Sequence, residues 1–459
     1  MYKYLSPDLA LYQQLLASYK NCLKNKPQVK KTTFHLQHER IIHQLALDIE
    51  NRTYQPIKSN IFVVTHPKPR EVIAAHLRDR IVHHFIYDYM SPHWERRFSS
   101  RSFACRTGKG PLQAVTDLQV FFRRHARQRG TPLFYLKMDI QSFFTSIDLK
   151  ILYRMIERSL ENDLYLWLCQ VVIFHRATVK GNFSLTSPKK LWQMLPKYKS
   201  MFYAPQDVGL PIGNLTSQFF ANVYMNHFDQ YMTHQVKGRV LYWQRYVDDI
   251  LLLSDDPRQL RDLAPEICSF MSRELNLKIN PKKTILQPLS RGLNHLGYFL
   301  CPDHTLIRRR VWGNCQRKVN QILEKAPDYV DAAAICATVN SYLGHFRRAA
   351  SNGKRKAVTE RLLGDPHVAK LVTVDTDSYK LTPVKKTKAE LRAEECSAEV
   401  ALQGEFVQAF RDLDPVAEKK RGQFYLKNWQ PIADLIQLHG GGHPEVDNRL
   451  PDDLCPTAT

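Results

Sequence analysis

What this chain lacks narrows its identity first. None of its nine cysteines falls in a Cys-x-x-Cys pair, so neither a zinc ribbon nor a disulfide framework is expected, and a reducing cytoplasm fits best. The 18 histidines match no zinc-site spacing with cysteine either. No apolar run approaches the ~20 residues needed to cross a bilayer. Met1-Tyr2-Lys3-Tyr4-Leu5-Ser6 has no signal-peptide core, and no segment repeats internally. No membrane partner is expected. Acid is scarce as well: 44 Asp+Glu stand against 66 Lys+Arg, a net charge of +22. A solvated surface does not need that excess, and a polyanion, nucleic acid first, is the economical reason for it.

What is present is an ordinary globular chain of 459 residues, 44% hydrophobic and 24% charged, long enough for several structural units. Residues 1 to about 55 read as helical, with Leu9, Leu15, Leu16, Ile41, Ile42 and Leu45 at helical spacing. Ile61-Phe62-Val63-Val64 is a short strand, broken by Pro67-Lys68-Pro69-Arg70, and a basic helix follows from Ala74 to His84. Further on come a helix from about 149 to 176, a loop-rich insertion at 178–208 and a long helix from about 214 to 234. Residues 306–365 are helical and very basic; the composition shifts after Gly364-Asp365-Pro366, where a tail begins with a charged helix expected near 388–412 and a disordered end.

The chemistry is expected in Tyr246-Val247-Asp248-Asp249, which lies between the apolar runs Val240–Trp243 and Ile250–Leu253 and reads as a β-hairpin with paired carboxylates at its tip. A third carboxylate, Asp139, ends a strand in which Leu136, Met138 and Ile140 alternate with polar neighbours and leave Asp139 on the opposite face. Turns favour Asp for their own reasons. A carboxylate from a strand plus two from a hairpin is, however, a donor set for Mg²⁺ ions that retain room for substrate phosphates.

Six ordered segments carry a resemblance. They are Arg101-Ser102-Phe103-Ala104-Cys105-Arg106-Thr107-Gly108-Lys109-Gly110, Lys137-Met138-Asp139-Ile140-Gln141-Ser142-Phe143-Phe144, Gly209-Leu210-Pro211-Ile212-Gly213-Asn214-Leu215-Thr216-Ser217-Gln218, Tyr246–Asp249, Asn280-Pro281-Lys282-Lys283-Thr284 and His295-Leu296-Gly297-Tyr298. From about 55 to 350 the chain resembles reverse transcriptases of bacterial retroelements, closest to the diversity-generating branch and to related antiphage-defence enzymes. The resemblance implies an α+β right-hand polymerase fold. It divides the chain into N-terminal helices and fingers (1–135), a palm (136–305, with the insertion at about 178–208), a thumb (306–365) and a C-terminal extension (366–459).

It also implies site roles. Asp139 and Asp248, with the carbonyl of Ile140, would hold two Mg²⁺ ions, which Mn²⁺ could replace, while Asp249 supports the turn. Phe144 would exclude a ribose 2′-hydroxyl, although the same Phe could sit in the core beside Phe143. Arg101, Arg106 and Lys109 would grip the dNTP triphosphate, with Lys68 and Arg70 as weaker candidates for that task or for template contact. Gly213 and Gln218 would lie under the nascent base pair, where Ile212 replaces the relatives' Gln, a change associated with loose base selection. Lys283 would approach the active site, and Arg308, Arg309, Arg310, Arg347 and Arg348 would track an RNA–DNA duplex.

The implied product is cDNA copied from an RNA template, a dedicated non-coding RNA in antiphage defence or a repeat RNA in a diversity-generating element. Template-independent synthesis and an idle RNA-binding scaffold are the rival readings. The extension would meet a structured RNA, an accessory protein or a second copy of the chain. No protease, integrase, endonuclease or ribonuclease H segment is evident.

Overall fold

The computed structural model describes residues 7–24, 37–65, 68–326 and 331–384. The chain divides into a unit spanning 1–382 and another spanning 383–459. Residues 385–459, with the charged helix and the disordered end expected there, lie outside the described residues.

Among the described residues the helices Leu9–Leu23 and His38–Glu50 come first. Their apolar faces, including Leu11, Leu15, Ile42, Leu45 and Ile49, recur at three- and four-residue spacing and are buried. They pack against the helix Leu77–Arg97. Before that helix, β1 (Ser59–Val64) and β2 (Arg70–Ala74) form an antiparallel hairpin.

β3 (Phe134–Asp139) starts the main sheet, and the short β4 (Phe183–Leu185) from the 178–208 insertion returns to the first sheet, parallel to β1. The main sheet is antiparallel in the order β5-β6-β3-β7, where β5 is Tyr242–Tyr246, β6 is Asp249–Ser254 and β7 is Ile285–Pro288. Its faces follow the period of two. Leu136, Met138, Ile140, Ile250 and Leu252 join the large core with helix Leu215–His234, while Tyr135, Leu251 and Leu253 join a second core with helix Pro111–Gln128. β6 is apolar at four successive positions because both of its faces are covered.

The helix expected from 149 to 176 is two helices, Leu149–Glu157 and Asp163–Phe174. Asn162 interrupts it: its side-chain oxygen accepts from the Leu164 and Tyr165 amides and starts a new helix.

A small sheet follows, β8 (Leu293–His295), β9 (Tyr298–Leu300) and β10 (Thr305–Ile307), and then helices Arg309–Lys325, Ala332–Phe346 and Asn352–Leu363. This region does not end at residue 365. A short helix, Pro366–Ala369, and the strands β11 (Val372–Val374) and β12 (Leu381–Pro383) contribute Val368, Val372 and Leu381 to the same core as Val319, Val339, Phe346 and Leu362. Pro366 is a first-turn residue rather than a break, and the Asp365 carboxylate caps its helix through the His367 and Val368 amides. Among the described residues no cysteine is in a disulfide, and no helix is long and apolar enough to cross a membrane.

A chain ending after Asp365 should therefore melt well below one ending after Val384. Each lost Val or Leu side chain contributes about 1.5–3 kcal/mol of burial. Equal melting temperatures for the two truncations would refute the shared core.

Candidate active site

The hairpin between β5 and β6 turns in two residues, because Tyr246 faces Asp249 across the strands. Val247 takes a left-handed φ of 55°, which a β-branched residue adopts at a cost of about 1–3 kcal/mol. Two contacts hold that turn. The Arg245 guanidinium donates to the Val247 carbonyl at 3.0 Å, and the Ile140 amide donates to the Asp248 carbonyl at 3.2 Å. Arg245 is in turn clamped by Asp229, whose carboxylate accepts at 2.8 and 2.7 Å with both side chains at most 1% exposed.

The strand register sets Asp139 directly opposite Asp249, so the two carboxylates share one face of the sheet, with Asp248 at the tip beside them. Each has its own surroundings. Lys283 reaches Asp139 at 2.6 Å, from a 3-10 turn (Pro281–Lys283) whose preceding Asn280 amide donates to the Asp139 carbonyl. Lys137, two residues before Asp139 on the same face, lies 3.5 Å from Asp249 and also donates to the Asn294 carbonyl. Asp248 is left with the least compensation. Burial first, then the charges of Asp249 and Asp139, push its carboxyl up to about 6.

Among the described residues no trio of His, Cys, Asp and Glu forms a metal cage. The donor set still fits a hard divalent ion, because Mg²⁺ takes one or two carboxylates and fills its remaining positions with water and substrate phosphates. An under-compensated Asp248 next to two further carboxylates is what such an ion would relieve. A divalent ion binds the ionised form, so its affinity in the free protein should hold above pH 6 and fall by about tenfold per pH unit below it. A Mn²⁺ titration followed by electron paramagnetic resonance reads this, and a flat profile from pH 7 to 5 would contradict it.

The remaining expected residues separate into two groups. Phe143 is buried in the core, and Phe144 is half-buried, its ring edge-on to Phe143 at 5.3 Å and packed against the same core. Gln218 is exposed at the start of its helix, and Arg308, Arg309, Arg310, Arg347 and Arg348 are exposed. Lys68 and Arg70 are exposed at the β1–β2 turn and have no ion pair among the described residues.

In the Arg101–Gly110 loop each of the three expected cations has a partner within the protein. Arg106 is buried beneath it, donating to Glu95 Oε2 at 2.8 Å and to the Ser99 and Ser102 carbonyls. Arg101 pairs with Asp117 at 2.8 Å and lies over the Tyr242 ring, and Lys109 donates to the Ser100 carbonyl and lies over Phe103. These cations brace the loop, and their partners lie in other elements or in the backbone, which a linear motif does not reveal.

Gly213 has a close neighbour of its own in β2. At its φ of 131° an added Cβ would come within 2.6 Å of the Ile73 carbonyl. The close approach it permits is to β2: the Ile73 amide donates to Ile212 and the Ala75 amide to the Asn214 side chain. On the other side of this segment, the Gly209 and Leu210 amides donate to Ile147 and Phe144. The segment therefore ties the first hairpin to the Phe144 region. The Leu296-Gly297 turn between β8 and β9 lies against the helix Ala332–Phe346, where Tyr298 stacks on His345 at 4.2 Å and an added Gly297 Cβ would meet the imidazole at 2.9 Å.

Two residues essential to this geometry, Arg245 and Asp229, are absent from the sequence motifs. A signal was available: Asn222 and Asp229 recur seven residues apart on a helix whose neighbours Phe219, Val223, Met225 and Phe228 are core, so a polar partner had to face them.

Comparison with known proteins bears on the whole region. Protein YkfC of Escherichia coli (strain K12) is 23% identical over 317 residues, 62% of this chain and 75% of that protein. Apo telomerase from Candida tropicalis is similar over 68% of this chain and 61% of its own, with 11% identity and a TM-score of 0.41. Telomerase from Candida albicans, solved with a TWJ fragment of telomeric RNA, is similar over 69% and 61%, with 10% identity and a TM-score of 0.39. The chain thus spans about three fifths of the length of these telomerases. The profile of the reverse transcriptase (RNA-dependent DNA polymerase) family matches residues 66–300, more than half of the chain's 459 residues and the stretch that carries all three carboxylates, and the protein belongs to that family.

Proposed function

We propose that this protein copies an RNA template into DNA, with Asp139 and Asp248 as the principal ligands of two Mg²⁺ ions. The observation that carries the reading is the meeting of Asp139, Asp248 and Asp249 at one end of the main sheet, with Lys283 at 2.6 Å from Asp139. Bound there, divalent ions would sharpen the primer hydroxyl as a nucleophile and neutralise the triphosphate. The chain's own residues do the rest. Asp249, tied to Lys137, keeps the hairpin end in place. Phe144 offers a half-buried ring where a 2′-hydroxyl would have to fit. Lys283, and Lys68 and Arg70 at the β1–β2 turn, meet the triphosphate; Gln218 faces the nascent base pair. The arginines at 308–310 and 347–348 contact the backbone of the RNA–DNA duplex from the thumb.

A dedicated RNA is the template this reading favours, with defence against phage as its setting and mutagenic copying of a repeat RNA as the alternative. Sequencing the RNA and DNA that co-purify with the protein separates them. Repetitive DNA copied from a partner RNA supports defence, whereas a scattered-substitution copy of a neighbouring repeat supports diversity generation.

Primer extension on a defined RNA template tests the activity. Asp248→Ala should lose about a thousandfold or more in rate, and Phe144→Ala should raise ribonucleotide use by on the order of tenfold relative to deoxynucleotides. Full extension by Asp248→Ala, or extension that ignores omission of the RNA, would sink the proposal.

The two groups of cations should also separate. Arg70→Ala should raise the KM for dNTP with little change in melting temperature. Arg106→Ala, which leaves Glu95 without its partner, should lower the melting temperature first. The reverse pattern would return the triphosphate to the Arg101–Gly110 loop.

A further inference from the structure

The 178–208 insertion is the part of the described chain that the catalytic account leaves unused, and its composition is one-sided. From residue 164 through 206 there is no Asp or Glu, while Arg176, Lys180, Lys189, Lys190, Lys197 and Lys199 all fall in that span. None of the five lysines is in an ion pair among the described residues. Large rings stand among these charges. Tyr198 is 62% exposed and Tyr203 is 63% exposed, which is costly for side chains of that size unless something covers them.

The rings are firmly mounted. Tyr198 belongs to one 3-10 turn, Lys197–Lys199, and Tyr203 to the next, Met201–Tyr203. Between the turns, buried Glu71 of β2 accepts from the Ser200 hydroxyl at 2.6 Å and from the Met201 amide at 2.8 Å. Phe202 is fixed edge-on against Phe183 and Trp192. Lys199 lies 5.6 Å from the Tyr198 ring centre and Lys197 lies 5.5 Å from that of Tyr203, so each exposed ring has a cation beside it.

The position is also defined. The Thr145 hydroxyl, next to Phe144, donates to the Tyr198 carbonyl at 3.3 Å. The turn that carries Tyr198 is therefore tied to the residue next to Phe144, the side chain proposed to face the incoming nucleotide, and Tyr203 follows in the next turn.

We propose that this face holds unpaired template RNA, with bases stacking on Tyr198 and Tyr203 and phosphates on Lys197 and Lys199. Single-stranded RNA is the partner this chemistry fits, because an exposed ring stacks on an unstacked base and a duplex offers none, while a segment with five lysines and no carboxylate suits a polyanion. The inference deepens the polymerase reading and rests on it for the identity of the strand, but its test reads binding rather than synthesis.

Fluorescence anisotropy would compare two labelled RNA–DNA duplexes on the full chain, one with a single-nucleotide 5′ RNA overhang and one with an overhang of about ten nucleotides. The wild type should prefer the long overhang by about tenfold, and Tyr198→Ala/Tyr203→Ala should abolish that preference. Tyr198→Phe/Tyr203→Phe, which keeps the rings, should retain it, and Lys197→Gln/Lys199→Gln should lower the salt dependence of long-overhang binding. The proposal is overturned if the double alanine variant keeps the preference, or if the wild type has none. It is equally overturned if the variant loses the short and long duplexes alike, since the rings would then act only on folding. If the wild type prefers the long overhang yet extends no primer, the RNA face stands and the polymerase reading fails.

Discussion

A buried ion pair organises this protein. Arg245 and Asp229 are both essentially inaccessible to solvent, and taking two charges out of water is favourable only when every donor and acceptor finds a partner. Here they do: the guanidinium reaches Asp229, the Ser102 hydroxyl, the Asn222 side chain and the Val247 carbonyl. The last of these bonds matters most. It fixes a turn whose central Val247 would otherwise relax from its left-handed conformation, and with it the direction of Asp248. The same arginine's backbone pairs with the Arg101–Phe103 segment, so the loop ahead of the helix Pro111–Gln128 is registered against the hairpin that carries Asp248 and Asp249.

Around that anchor, charge has been sorted by whether a carboxylate is within reach. Arg106, Arg101 and Lys137 sit beside Glu95, Asp117 and Asp249 and hold loops and strands together. Lys68, Arg70 and the arginines of 308–310 and 347–348 are exposed. A basic residue already held by a carboxylate and by further hydrogen bonds must give these up on meeting a phosphate, whereas an exposed one without them loses little. The net charge of +22 thus overstates the binding surface and locates it poorly; the distribution of partners is what locates it.

Much of this was legible in the chain. Alternation in Leu136, Met138 and Ile140 gave the face on which Asp139 would stand, and the apolar runs around Tyr246–Asp249 announced a hairpin. The cores on both sides of β6 explain why its four apolar residues do not alternate with polar ones. What stayed hidden depends on contacts far apart in sequence. Nothing in the Arg101–Gly110 segment marks Arg106 as the partner of Glu95, and nothing around Gly213 in the sequence announces the Ile73 carbonyl that an added Cβ would meet. Pro366 reads as an ending because proline commonly follows a helix, but in the first turn its missing amide costs nothing, and the core continues to Leu381.

The central claim is that the Arg245–Asp229 pair holds the carboxylates in a metal-binding arrangement. Mn²⁺ binding to Asp229→Asn, measured at pH 7.5 and at a temperature where circular dichroism shows the variant folded, tests it most directly. The account predicts affinity weakened by about tenfold or more, because a turn released from Arg245 no longer presents Asp248 beside Asp139. Unchanged Mn²⁺ affinity in the folded variant would show that the turn holds itself, and that the buried pair has no part in building the site.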